Sequence, residues 1–159
     1  MSHSNMLERE VTERIRTIFL HQRPHVSIAS ATSLLGWTRP QMSEAIRAGD
    51  IEVTETWSVP RILREELWSK ALEAWPLDAI EEALGPDADR VLPPLLRLTD
   101  LQVRIPRYQV AMLDHLAERE HTNVSAVLTR ELENIANMNA EELSASVAGF
   151  ATALHWPSA

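Results

Sequence analysis

The 159-residue chain has no cysteine, which excludes disulfides, thiolate nucleophiles and cysteine-ligated metals and fits a reducing interior. Only four glycines are present, and none is set in a phosphate-cradling loop or a nucleophile elbow. Any catalysis would rest on scattered carboxylates, so an enzyme is not expected, and neither is a cofactor. No apolar run approaches the roughly 20 residues that span a bilayer. The start, Met1 to Glu10, has neither the basic opening nor the apolar core of a secretion signal. Cytoplasm is the expected compartment, without membrane contact.

Basic residues are also scarce. Fifteen Lys and Arg face 23 Asp and Glu, a net charge of −8, which works against phosphate binding because that is driven by basic side chains. The imbalance is uneven: residues 1–60 carry six arginines against seven acids, and 61–100 carry five basic against nine acidic residues. Six histidines are present. His21 and His25 have the i, i+4 spacing of a metal-ligand pair, but Pro24 lies between them and no adjacent carboxylate completes a set. His115 and His121 flank a helix end. No metal site is expected.

What the chain does have is ordered punctuation. Leu7, Val11, Ile15, Ile18 and Phe19 follow helical spacing from Met6 to Gln22. Arg23-Pro24 ends that helix. Ser27 can cap a second helix carrying Ile28, Ala31, Leu34 and Leu35, broken at Gly36. Thr38 can cap a third, with Met42, Ala45 and Ile46 inward, closed at Gly49-Asp50. Ile51–Val53 and Trp57–Val59 suggest a hairpin. Pro60 is expected to open a helix with Ile62, Leu63, Leu67, Trp68, Ala71, Leu72 and Trp75. After Pro76, Ile80 and Leu84 continue the burial to Gly85-Pro86. Pro93 and Pro94 make 85–97 the expected joint.

Residues 26–68 resemble the winged helix-turn-helix of excisionases and of regulators related to the mercury-resistance regulator. The resemblance lies in Ser27–Arg39, reading Ser-Ile-Ala-Ser-Ala-Thr-Ser-Leu-Leu-Gly-Trp-Thr-Arg, in Gly49, and in Trp57–Leu67, reading Trp-Ser-Val-Pro-Arg-Ile-Leu-Arg-Glu-Glu-Leu. It implies that Arg39, Gln41, Ser43 and Arg47 face a DNA groove and its phosphates. Glu44, Glu52 and Glu55 depart from that pattern, since carboxylates are repelled by DNA unless they accept from a cytosine amino group.

Beyond the joint, Leu101–Ile105 alternates apolar and polar residues, followed by Pro106 and two amphipathic helices around His121–Ser125. A lone five-residue strand needs a partner for its backbone groups. The simplest partner is the same strand of a second copy, giving a homodimer with Leu101, Val103 and Ile105 in its core. Residues 98–136 resemble a ribbon-helix-helix domain. That resemblance implies Gln102 and Arg104 facing the major groove and the helix start at Asn123, Val124 and Ser125 holding a phosphate. His121 departs from the glycine common at the interhelical turn.

Finally, Asn139 and Glu142 have capping-box spacing, ahead of Leu143, Val147, Phe150 and Leu154 on an expected single amphipathic helix. This stripe either docks on its own dimer or binds a partner protein, with the partner favoured. Most tryptophans read as core filling; Trp156 is less easily explained that way.

The expected fold class is therefore mainly α. An N-terminal helix (1–25) precedes a winged helix-turn-helix domain (26–84), a proline-rich joint (85–97), a ribbon-helix-helix-like dimerisation domain (98–136) and an amphipathic tail (137–159). The expected function is a dimeric, sequence-specific regulator binding double-stranded DNA. The layout also resembles antitoxins of toxin–antitoxin operons, with the tail contacting a toxin. The alternative is an acidic dimeric adaptor, or toxin-neutralising protein, that does not bind DNA.

Overall fold

A computed structural model describes residues 2–56 and 58–158. Trp57, expected in the hairpin, lies outside them. The chain is mainly helical with one small antiparallel sheet and divides into two compact units, Met1–Leu98 with His155–Ala159, and Thr99–Leu154.

In the first unit, α1 (Ser2–Leu20) buries Ile15, Ile18 and Phe19, with Val11 packed beside them. These positions share one helical face. The N-terminal helix is thus part of the core rather than an appendage. Ser27 caps α2 (Ile28–Leu35) by accepting from the Ser30 amide. Gly36 closes it in the left-handed region (φ 69°), as glycine does most readily. Thr38 opens α3 (Arg39–Ala48) with a full capping box: its hydroxyl accepts from the Gln41 amide, and the Gln41 side chain accepts from the Thr38 amide.

The sheet has strand order β1-β3-β2, from β1 (His25–Ser27), β2 (Val53–Thr56) and β3 (Val59–Leu63). Val26 and Val53 both align with Ile62, which is fully buried. Two expectations are corrected here. Residues 25–27 add a third strand, and Pro60–Leu63 are strand rather than helix, so α4 (Arg64–Ala74) begins only at Arg64. Pro60 is tolerated because β1 reaches only Arg61–Leu63, leaving Pro60 a single neighbour, Glu55 on β2.

The 85–97 segment is not a joint. After α5 (Leu77–Leu84) it makes a 3-10 turn (Gly85–Asp87), the short α6 (Ala88–Val91) and a second 3-10 turn (Pro94–Leu96), and it buries Ala88 and Leu92. Arg16 ties α1 to its start, donating to the carbonyls of Ala83 and Leu84 (3.0 Å each) and to Asp87 (2.8 Å). At its end Glu81 accepts from the Leu98 amide (2.9 Å) and pairs with Arg97 (3.2 Å). That amide first, and the guanidinium next, hold the Glu81 carboxyl below its ordinary pKa. The compact unit runs to Leu98, beyond the expected boundary at 84.

Trp156 also belongs to this unit. Its ring stacks on Trp68 (centroids 5.3 Å) and Phe19 (6.0 Å), while Phe19 and Trp68 stack at 6.1 Å. The Trp68 indole N–H donates to the Ile18 carbonyl (2.9 Å), and the Arg64 guanidinium lies over the Trp68 ring.

In the second unit, α7 (Arg107–Arg119) and α8 (Val124–Met138) form a helical hairpin. His121 turns the chain with φ 54°, taking the left-handed conformation for which glycine is commoner. Asn123 caps α8 by accepting from the Ala126 amide (2.9 Å). Glu120 is flanked by Arg130 and Arg119, which hold its carboxyl below the ordinary range. The expected tail helix is broken in two, α9 (Ala140–Ser146) and α10 (Phe150–His155). Val147 is extended and Gly149 has φ 81°, so Leu143 and Val147 no longer share one helix with Phe150 and Leu154. Asn139 does not cap α9; its side-chain amide donates to the Ile135 carbonyl instead (2.8 Å).

Candidate nucleic-acid interface

The geometry of α3 follows from its caps. With Met42 buried at 1 % exposure and Ala45 and Ile46 half-buried, the opposite side of the helix faces outward. Arg39, Ser43 and Arg47, each four residues from the next, form a row along it, all exposed. Gln41 is exposed too, but its carbonyl is spent on the capping box. Arg47 is held by Glu44 through two hydrogen bonds, Nε to Oε2 (3.0 Å) and Nη2 to Oε1 (2.6 Å). Arg39 makes no side-chain hydrogen bond or ion pair among the described residues. A guanidinium without an intramolecular partner can meet guanine or phosphate with no exchange of partners.

The hairpin that follows α3 in the chain has exposed Glu52 and Glu55 and turns through Ser58 at φ 62°. Its two carboxylates would repel any phosphate backbone that reached the hairpin.

The second group of expected residues lies in the other unit. Among the described residues, 99–106 pair with no strand of their own chain. Leu101, Val103 and Ile105 are 82, 58 and 41 % exposed. Gln102 and Arg104 alternate with them, exposed and without side-chain partners among the described residues. The Asn123 side chain accepts from the Ala126 amide, which occupies one of the amides at the start of α8, while Ser125 is exposed. Of the tail residues, Leu143, Phe150 and Leu154 are half-buried and Val147 is exposed.

Sequence reading missed one feature of this unit. Its buried core holds only Leu113, Ala117 and Val127, whereas Leu128, Leu132 and Ile135 lie exposed on one face of α8. Their i, i+4, i+7 spacing is legible in the sequence, but it carries the same pattern as an ordinary core-facing stripe. Only burial separates the two. So small a core leaves the unit poorly covered unless another surface meets it.

No group of three histidine or carboxylate residues able to hold a metal lies among the described residues. No protein-family model, curated protein or solved structure matches the chain.

Proposed function

We propose that this chain is a homodimeric, sequence-specific DNA-binding regulator of transcription, with a winged helix-turn-helix in its first unit and a ribbon-helix-helix-like dimer contact in its second. The observation that carries the DNA reading is the exposed Arg39–Ser43–Arg47 row on a doubly capped helix whose other side is anchored by Met42. In this reading α3 enters the major groove, with Arg39 on a base edge or its phosphate. The exposed Leu101, Val103 and Ile105 support the dimer, because pairing 101–105 with its copy covers them and satisfies their backbone. Gln102 and Arg104 then form the outer face of the ribbon. Two modules per chain give four reading elements per dimer, and linkage raises the effective concentration of each.

The antitoxin form of this proposal rests on layout alone, a DNA-binding dimer followed by a tail. In it Leu143, Val147, Phe150 and Leu154 meet a toxin, and co-purification of that partner is lost on removing 139–154.

A second reading, an acidic adaptor without DNA binding, is favoured by the Glu44 clasp on Arg47 and by exposed Glu52 and Glu55. Electrophoretic mobility shift with DNA from upstream of the protein's own coding sequence, at low and moderate salt, separates the two. Sharp sequence-dependent shifts, weakened by about 1–3 kcal/mol in Arg39→Ala, support the regulator; no binding to any DNA supports the adaptor. Should Arg39→Ala and Arg47→Ala leave affinity intact while Arg104→Ala abolishes it, the ribbon is the reading element instead.

A further inference from the structure

The first unit also contains an open-sided depression of about 670 Å³, away from the α3 row, between the end of α1, β1, α2 and β3. We infer that it binds a phosphoryl group. Its polar lining is His21, Arg23, His25 and Arg61, with hydroxyls that include Ser30 and Ser33, and no acidic residue contributes to it. That composition is selective in a chain with 23 acidic residues.

The arginines make the same point. Arg16, Arg47, Arg64, Arg90, Arg97, Arg119 and Arg130 each pair with a carboxylate of this chain. Seven arginines, Arg9, Arg14, Arg23, Arg39, Arg61, Arg104 and Arg107, pair with none among the described residues, and of these Arg23 and Arg61 line the hollow. The Nδ1 atom of His25 is buried without a hydrogen-bond partner among them. Two guanidinium groups around one hollow repel one another, and an anion between them removes that repulsion. Arginine forks and hydroxyl donors suit phosphoryl oxygens.

The frame is fixed. Arg64 donates from its amide to the Pro24 carbonyl (2.9 Å) and from Nη1 to the His21 carbonyl (3.2 Å), which pins the loop carrying Arg23. Arg61 lies opposite Ser27 in the β1–β3 pairing. The hollow has room for an ester larger than inorganic phosphate. The group therefore belongs either to a DNA backbone or to a free phosphorylated small molecule. The inference does not depend on α3 reading DNA.

The test is titration of the full chain with inorganic phosphate against chloride at equal ionic strength, following the ring-proton resonances of His21 and His25. Saturable shifts with phosphate are expected, with affinity about 10-fold or more weaker in Arg61→Ala, the loss of one charge-assisted hydrogen bond. Arg23→Ala, at an exposed loop position, gives the same result if replacing a strand residue disturbs folding. Tenfold tighter binding of a nucleoside monophosphate than of inorganic phosphate identifies a free ester as the source. A fall of about one in the salt slope of DNA binding in Arg61→Ala identifies a backbone phosphate. Absence of saturation, or identical titrations in wild type and both variants, overturns the inference.

Discussion

Removing the Trp156 ring tests how far the end of the chain belongs to the fold. The ring is half-buried and stacks on both Trp68 and Phe19. Each aromatic pair contributes about 0.5–1.5 kcal/mol beyond area burial. Half-burial of so large an apolar surface contributes roughly 1–1.5 kcal/mol more. Trp156→Ala should therefore destabilise the first unit by about 2–4 kcal/mol, a fall of about 5–15 °C in melting temperature for a chain of this size. The assay is unusually clean. The four described tryptophans, Trp37, Trp68, Trp75 and Trp156, lie in the first unit, and the single tyrosine, Tyr108, lies in the second, so tryptophan fluorescence reports on the first unit. A double-mutant cycle of Trp156→Ala with Phe19→Leu should return about 0.5–1.5 kcal/mol of coupling. A loss below about 0.5 kcal/mol in the single variant, with no coupling, would show that the stack does not hold the chain end and would refute the reasoning.

Thr38→Ala removes the hydroxyl half of the α3 capping box and should cost about 1 kcal/mol in urea unfolding; no loss would mean that Gln41 holds the turn alone. Val103→Asp places a charge in the proposed ribbon, where each apolar side chain contributes about 1.5–3 kcal/mol when fully buried. Light scattering should report monomer or unfolded protein, and a folded dimer would remove 101–105 from the interface. Glu81→Gln probes the carboxylate whose pKa is lowered by the Leu98 amide and Arg97. Because the folded-state value lies below the unfolded one, its stabilisation is present above the ordinary carboxylate range and fades as pH falls through the lowered value. Wild type should exceed the variant at pH 7, and the two melting temperatures should converge in acid; a difference independent of pH would refute that cause.

What the sequence made legible was local chemistry with one outcome. Ser27 and Thr38 are good caps, Gly36 and Gly49 tolerate left-handed conformations, and 11, 15 and 18 share one helical face. Where local signals permit two outcomes, tertiary contacts decided. Proline opens helices but also suits a strand with one neighbour, and the pairing of Ile62 with Val26 and Val53 made Pro60–Leu63 a strand. A three-residue strand such as β1 is too short to show a period. The prolines of 85–97 looked like a linker because proline punctuates both linkers and tight turns; burial of Ala88 and Leu92 and the contacts of Arg16 and Glu81 come from residues distant in sequence. The tail stripe had helical spacing across Gly149, but spacing says nothing about whether the backbone stays helical between its members. Arg39, Ser43 and Arg47 could be placed on an outer face from the caps and Met42 alone. That Arg47 is clasped by Glu44 and Gln41 is spent on its cap could not.

The net charge of −8 is a poor guide to what such a surface can bind, because the arginines differ in what they already hold. Seven are matched to carboxylates within the chain, and a matched arginine adds little to the field felt by an approaching anion. Arg9, Arg14, Arg23, Arg39, Arg61, Arg104 and Arg107 make no such pair among the described residues. Of these, Arg39 lies on the α3 row, Arg23 and Arg61 line the β1–α2 hollow, and Arg104 alternates with the exposed apolar residues of the proposed ribbon. Exposed acids elsewhere act through solvent and are screened within about 8 Å at physiological salt. Local availability of guanidinium groups, rather than the chain total, therefore decides where an anionic partner can bind. Dimerisation through 101–105 would double every such group in one particle, so that DNA affinity should depend on protein concentration as well as on salt.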